Sequence, residues 1–247
     1  MPVRVSTKPK KAVAARRRRL PPGARARAPI VVERLKREYG DAHTELAFAT
    51  PWQLLVSVIL SAQTTDVNVN SVTPVLFARY PTPQDLASAA TEEVEAIIRK
   101  TGFFHSKARA IIEMSQDLVR HHGGEVPSRM EDLVKLRGVG RKTANVVLGV
   151  AFGVPGFAVD THVTRLTRLL RLTSATDPVK IEEDVCSIVP EAEWTNLSLR
   201  LILHGRRVCI ARRPRCPECV LADICPSANL GLLPASRSKR QPSRTGR

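Results

Sequence analysis

The chain has 247 residues, 43% of them apolar, which suits one large or two small domains with real cores. Lysine and arginine outnumber aspartate and glutamate by 39 to 23. The resulting net charge of +16 points to a polyanionic partner, nucleic acid first, although a basic tail accounts for part of the excess. No apolar run reaches membrane-spanning length and the basic start lacks an apolar signal core, so neither a membrane protein nor an exported one is expected.

Residues 1–28 contain no acid and little to bury. They read as a disordered basic arm that touches phosphates without sequence preference, with a mitochondrial transit peptide as the competing reading. A helix is expected over 29–39, stopped by Gly40. Residues 46–62 carry Trp52, Leu54, Leu55, Val58, Ile59 and Leu60 and read as a core helix. A polar connector, 61–66, leads to an amphipathic segment over 67–80. Thr91 reads as an N-cap, with Glu92 and Glu93 in the first turn and Gly102 past the end. Phe103, Phe104 and His105 form a short connector before Ser106 caps a helix that stops at Gly123 and Gly124. Ser128 and Glu131 fit a capping box. Beyond Asp160, Val163, Leu166, Leu169 and Leu170 share one helical face, and a last helix over 195–204 is ended by Gly205. With no internal repeat and no alternating strand pattern, the fold class is all-α.

The chain is organised around residues 133–166: a short helix, a tight turn at Arg137, Gly138, Val139 and Gly140, a second helix, and a loop that delivers Asp160. The glycines permit positive φ and close backbone approach. Amides after Gly140 are unpaired donors at a helix N-terminus, where the macrodipole favours an anion such as phosphate. Lys142 stands in that first turn. There the dipole and neighbouring apolar surface at Val146 favour its free amine, a nucleophile. Taken singly these features are ordinary: such turns end helices, such lysines are solvated, and Asp160 before Thr161 is a helix N-cap. Their order sets them apart.

Cys209, Cys216, Cys219 and Cys225 are spaced C-x6-C-x2-C-x5-C, so four soft thiolates can meet at one centre, structural zinc or an iron–sulfur cluster. The loop between the first two carries Arg212, Arg213 and Arg215, a phosphate clamp once the cysteines are joined. Cys186, on an apolar stretch, reads as a packed thiol rather than a fifth ligand. The tail from Pro226 reads as disordered.

The segments LRGVGRKTANVVLGVAFG and AVDTHV, followed by this cysteine spacing, closely resemble the endonuclease III family of DNA glycosylases. The resemblance covers about residues 30–226 and implies a two-lobed helix-hairpin-helix glycosylase fold. One lobe is a six-helix domain over 47–157, with the hairpin at about 128–153. The other is an iron–sulfur domain made of 29–46 and 158–226, leaving a tail at 227–247. The family's roles fall on Lys142 as nucleophile and Asp160 as its assistant. A [4Fe–4S] cluster falls on Cys209, Cys216, Cys219 and Cys225. DNA contacts fall on Gln63, which enters the duplex in place of the extruded nucleotide, and on Gly138, Val139, Gly140, Arg141, Arg212 and Arg213. Phe103 or Phe104 stands where the family has an apolar wedge, typically leucine, which leaves opposite-base preference open. The implied activity is a bifunctional DNA glycosylase/AP lyase of base excision repair, acting as a monomer on damaged double-stranded DNA in the bacterial cytoplasm. Mitochondrial or nuclear placement follows only if the arm is a targeting segment. The rivals are an adenine glycosylase of the same superfamily, against which Lys142 and the short tail count, and a non-enzymatic DNA-binding module.

Overall fold

In the computed structural model, residues 19–228 are described; the outer part of the basic arm and nearly all of the C-terminal tail lie outside them. Within that span every regular element is helical and no strand forms. No helix there is long and apolar enough to cross a membrane.

Helix α1 (Ala24–Tyr39) starts inside the stretch expected to be a basic arm, because Ala24 and Ala28 are buried with Val31 and Leu35 on one face. Gly40, at φ 59°, ends it as expected. The core helix is shorter than its apolar run: α2 (Pro51–Leu60) begins only where the Thr50 hydroxyl accepts from the Gln53 amide and Pro51 fixes the first turn. Helix α3 (Asp66–Arg79) is capped by Thr65, and α4 (Pro83–Ala87) by a reciprocal Thr82–Asp85 capping box that the sequence reading missed. Helix α5 (Thr91–Ile98) contains Thr91 rather than being capped by it. Helix α6 (Phe104–His122) starts before Ser106, whose hydroxyl donates back to the Phe103 carbonyl. No side chain caps α7 (Met130–Leu133); Glu131 pairs with Arg129 instead of closing the expected box.

After α8 (Arg141–Ala151) come α9 (Thr161–Leu169), α10 (Pro178–Cys186) and α11 (Trp194–Arg207). Gly205 lies inside α11 and does not end it. A Cβ there would stand 2.9 Å from the His162 Cβ, so this glycine serves the close approach of α9 and α11.

Two hydrophobic clusters result. The first joins Leu46 through Leu148, from α2 to α8; the second joins α1 to Phe157, α9, α10, α11 and Leu221. The chain thus leaves the second cluster after α1, builds the first, and returns through the loop ahead of Asp160. Fully buried leucines such as Leu35, Leu55 and Leu201 each contribute about 1.5–3 kcal/mol of transfer free energy. Buried Arg200 ties the return to the start: it donates to the Gly40 carbonyl at 2.8 Å and to Glu193 at 2.8 Å, and Glu193 also holds Lys36 of α1.

Candidate functional site

The hairpin turn puts Gly138 at φ 77°, where an added Cβ would also meet the Ala110 Cβ at 3.2 Å. Gly140 is the N-cap of α8 and has no side chain to satisfy the amides that follow it. Those amides, at the positive end of the helix, form an anion site open to solvent. Two residues of this turn expected to contact DNA have side chains engaged within the fold. The Val139 side chain is buried in the first cluster, so only its backbone faces outward. Arg141 makes a bidentate pair with Glu182 of α10, both bonds at 2.8 Å, and so links the two halves of the fold rather than standing free.

Lys142 and Asp160 meet in one crevice of about 80 Å³ between the two clusters. Its walls include Val58 of α2 and Ser61 just beyond it, Val146 from α8 and Leu199, Leu203 and Arg206 from α11. A hollow of about 400 Å³ adjoins it and shares His43, Thr44 and Leu199. The crevice is well below the about 300–1,000 Å³ of an ordinary small-molecule pocket. Lys142 is exposed, and its amine makes no hydrogen bond or ion pair among the described residues. Asp160 is the N-cap of α9 and also lines the crevice. Its Oδ1 accepts from the Val163 amide at 2.8 Å as the N-cap of α9, while the carboxylate faces the crevice. At the crevice mouth Arg206 holds Glu45 at 2.5 Å and Asp66 at 2.8 Å. Burial disfavours charge on Arg206, but these carboxylates outweigh it and raise its pKa.

The loop that carries Asp160 is clamped by polar side chains which the sequence reading did not single out. Thr195 and Ser198, on α11, bond the loop backbone: the Thr195 hydroxyl meets Gly156 N and O, both at 3.2 Å, and Ser198 donates to the Ala158 carbonyl at 2.7 Å. From α8, buried Asn145 donates to the Phe157 carbonyl at 3.3 Å. Three polar residues on otherwise apolar faces were the available signal.

Gln63 and Phe103, the two residues expected to enter the duplex, both adopt left-handed backbone, at φ 54° and 48°. Among the described residues only Arg171 is another non-glycine of that kind. Backbone strain of this type gathers where function requires it. Phe103 is 65% exposed, whereas Phe104 packs against the first cluster, so Phe103 is the exposed one of the pair. Buried Lys107 steadies the loop by donating to the Thr101 carbonyl at 2.7 Å, and burial lowers its pKa.

The four cysteines of the C-x6-C-x2-C-x5-C segment follow α11, and Cys209, Cys219 and Cys225 pack on the second cluster. Burial pushes the Cys209 thiol up, opposed by the Arg165 charge; burial likewise raises Cys219, opposed by the Leu221 amide, 3.4 Å from its sulfur. His204 lies 3.3 Å from the Cys219 sulfur through Nε2, with its Nδ1 2.9 Å from the Tyr39 hydroxyl. Burial pushes His204 down to about 4, leaving a neutral ring that can donate from Nε2 to a thiolate. Among the described residues no three Cys, His, Asp or Glu side chains converge tightly enough for a single ion. A polynuclear cluster holds its thiolates farther apart, and the amide, imidazole and guanidinium donors around these sulfurs suit its anionic charge. Arg165 donates to the Cys209 carbonyl at 2.7 Å and fixes the loop on which Arg212 and Arg213 stand exposed. Cys186 is apart from this group, its thiol pushed up to about 12 by burial.

Residues 56–191 match the model of the HhH-GPD superfamily of base excision DNA repair proteins, and residues 209–225 match the iron–sulfur binding domain of endonuclease III. The fold and the hairpin therefore place the chain among the helix-hairpin-helix base excision repair proteins. Its relatives narrow this. Endonuclease III of Synechocystis sp. is 52% identical over 203 residues, 82% of this chain and 93% of the relative. Endonuclease III of Escherichia coli is 42% identical over 195 residues, 79% of this chain and 92% of the relative. A solved non-covalent endonuclease III–DNA complex superposes with a TM-score of 0.79 at 41% identity, covering 83% of this chain and 96% of that one. The chain belongs to the endonuclease III family, whose cofactor is a [4Fe–4S] cluster.

Proposed function

We infer that the chain is a bifunctional DNA glycosylase/AP lyase of base excision repair, acting on oxidised or ring-saturated pyrimidines and abasic sites in duplex DNA. The observation that carries this reading is the unengaged amine of Lys142 sharing a crevice with the Asp160 carboxylate. A trapped covalent intermediate with DNA is known for an endonuclease III that matches this chain at 41% identity and a TM-score of 0.79.

Phosphate settles on the open amides beyond Gly140 and brings the sugar to the crevice. Gln63 and Phe103 take up the space left in the stack while the damaged nucleotide is extruded. The Lys142 Nζ attacks the sugar's C1′; the C1′–base bond breaks and its electron pair leaves with the base, which gains a proton. Asp160 offsets positive charge developing on the sugar and relays protons as the ring opens to a Schiff base on Nζ. Loss of a C2′ proton then drives β-elimination: the C3′–O bond breaks and the strand is cut on the 3′ side. Water hydrolyses the Schiff base and restores the amine. The four cysteines would hold the [4Fe–4S] cluster, which fixes the Arg212–Arg213 loop against the phosphates. The two lobes would be the two hydrophobic clusters, with Leu46 on the first side and α1 from Ala24 together with Phe157 on the second, close to the expected division at 47–157 and at 29–46 with 158–226. The test is strand cleavage of duplexes each bearing one lesion. Cleavage at a ring-saturated pyrimidine and not at a mispaired intact adenine is the expected result; adenine release without cleavage would overturn the reading.

A further inference from the structure

Two open grooves meet at Pro21 on the face of the second cluster. One, of about 670 Å³, is lined by Thr161, Thr164, Arg165 and Arg168 of α9 and by Arg171 just beyond it. The other, of about 480 Å³, is lined by Arg19 and Arg25 at the start of α1. Among the described residues no carboxylate lines either groove. Arg165 is engaged inside the fold, on the carbonyls of Gly205 and Cys209. The side chains of Arg19, Arg25, Arg168 and Arg171 make no hydrogen bond or ion pair among the described residues.

The placement of this row gives it meaning. Helix α9 starts at Asp160 in the catalytic crevice and runs away from it, with Thr161, Thr164 and Arg168 three and four residues apart on one face. Arg171 continues the row in left-handed backbone, and Arg19, the last of four consecutive arginines, extends it. At about 1.5 Å per residue, Thr161 to Arg171 spans about 15 Å, the length of about four base steps at about 3.4 Å each. Arg141 at the head of α8 holds Glu182 of α10, which ties the hairpin to the half of the fold that carries α9.

We propose that the Arg168–Arg171–Arg25–Arg19 row is a second phosphate track, outside the catalytic cleft, which grips the duplex flank several base pairs from the lesion. It rests on the reading of the crevice as the DNA-processing site. Guanidinium groups without internal partners, in a groove free of acids, recognise any phosphate backbone and carry no sequence preference. The track therefore adds affinity for long DNA and leaves lesion choice untouched.

The test compares wild type with Arg168→Ala/Arg171→Ala, both substitutions on the surface. Binding is measured by fluorescence anisotropy on duplexes with one tetrahydrofuran abasic analogue, with either flank shortened in turn from about twenty to about six base pairs. On long duplexes the plot of log affinity against log salt should be shallower for the variant by about two, at about 0.9 per lost phosphate contact. The two affinities then converge about tenfold between about 50 and 200 mM salt. With one flank shortened, the two proteins should bind alike. Equal slopes and affinities within twofold on every duplex would overturn the track and leave the row to an acidic protein partner. An equal loss on short and long duplexes would also overturn it, by placing these arginines in the cleft. Failure of wild type to prefer the abasic analogue on the short duplex is a separate result and counts against the site reading itself.

Discussion

Gly156→Ala tests whether the clamped loop sets the position of Asp160. Gly156 is buried, and an alanine Cβ there would stand 2.8 Å from Asn145 Oδ1, 3.1 Å from the Asn145 carbonyl oxygen and 3.3 Å from its Cα. The last two atoms belong to the backbone of α8 and cannot swing away, so the loop must retreat by about half an ångström to reach ordinary contact. That retreat strains the Thr195 and Ser198 bonds that hold the loop to α11. Overpacking of this kind costs about 1–3 kcal/mol, and a loss near 2 lowers the melting midpoint by about 4–8 °C in a protein this size. Because Asp160 follows four residues later, its carboxylate moves with the loop. A misplacement near 1 Å costs about a hundredfold in rate, so about tenfold is expected here. Single-turnover cleavage of a duplex with a preformed abasic site, run beside a circular dichroism melt, measures both. A lowered midpoint with wild-type cleavage would show that the loop does not position Asp160, and wild-type values of both would refute the packing argument as well.

Glu193→Gln should cost about 3 kcal/mol at neutral pH, because Arg200, with a side chain only 1% exposed, loses its hydrogen-bonded carboxylate and keeps only Asp41 at 3.9 Å. Burial alone would raise the Glu193 carboxyl, but Lys36 and Arg200 together hold it below its ordinary value. Its stabilisation is therefore complete above the unfolded value of about 4.3 and is lost as pH falls through the lower folded value. The gap in melting midpoint between wild type and variant should narrow across that acid window; a constant gap would contradict the pairing. Cys216→Ser should yield a colourless, poorly folded protein lacking the visible absorbance and the iron of wild type. Wild type prepared anaerobically, colourless and loaded with zinc, would overturn the assignment of these thiols to an iron–sulfur cluster.

The nearness of Lys142 and Asp160, and the gathering of Cys209, Cys219 and Cys225 on one cluster, were legible because each belongs to a contiguous motif. Helix stops at Gly40 and Gly123 were legible for the same reason: positive φ is a local demand. What escaped was long-range. Arg141 looks like a free cation until Glu182, far along the chain, is brought beside it. Val139 sits in a polar turn yet points into the first cluster. Gly205 reads as a stop and is instead a contact surface for His162, a distinction that needs the packing of α9 on α11. The arginine-rich start hid the first turn of α1, since only Ala24 and Ala28 betray its buried face. Likewise Asn145, Thr195 and Ser198 acquire a role only when the Asp160 loop passes between their two helices. The pair Phe103 and Phe104 stayed open in sequence because either could be core; the left-handed turn decides which is exposed.

The most direct measurement of the central claim is borohydride trapping on a duplex bearing one oxidised pyrimidine, with wild type and Lys142→Ala side by side. The account predicts a covalent protein–DNA adduct with wild type and none with Lys142→Ala, whose melting curve stays close to that of wild type. An adduct of equal yield with Lys142→Ala, or no adduct with folded, cluster-loaded wild type, would contradict it.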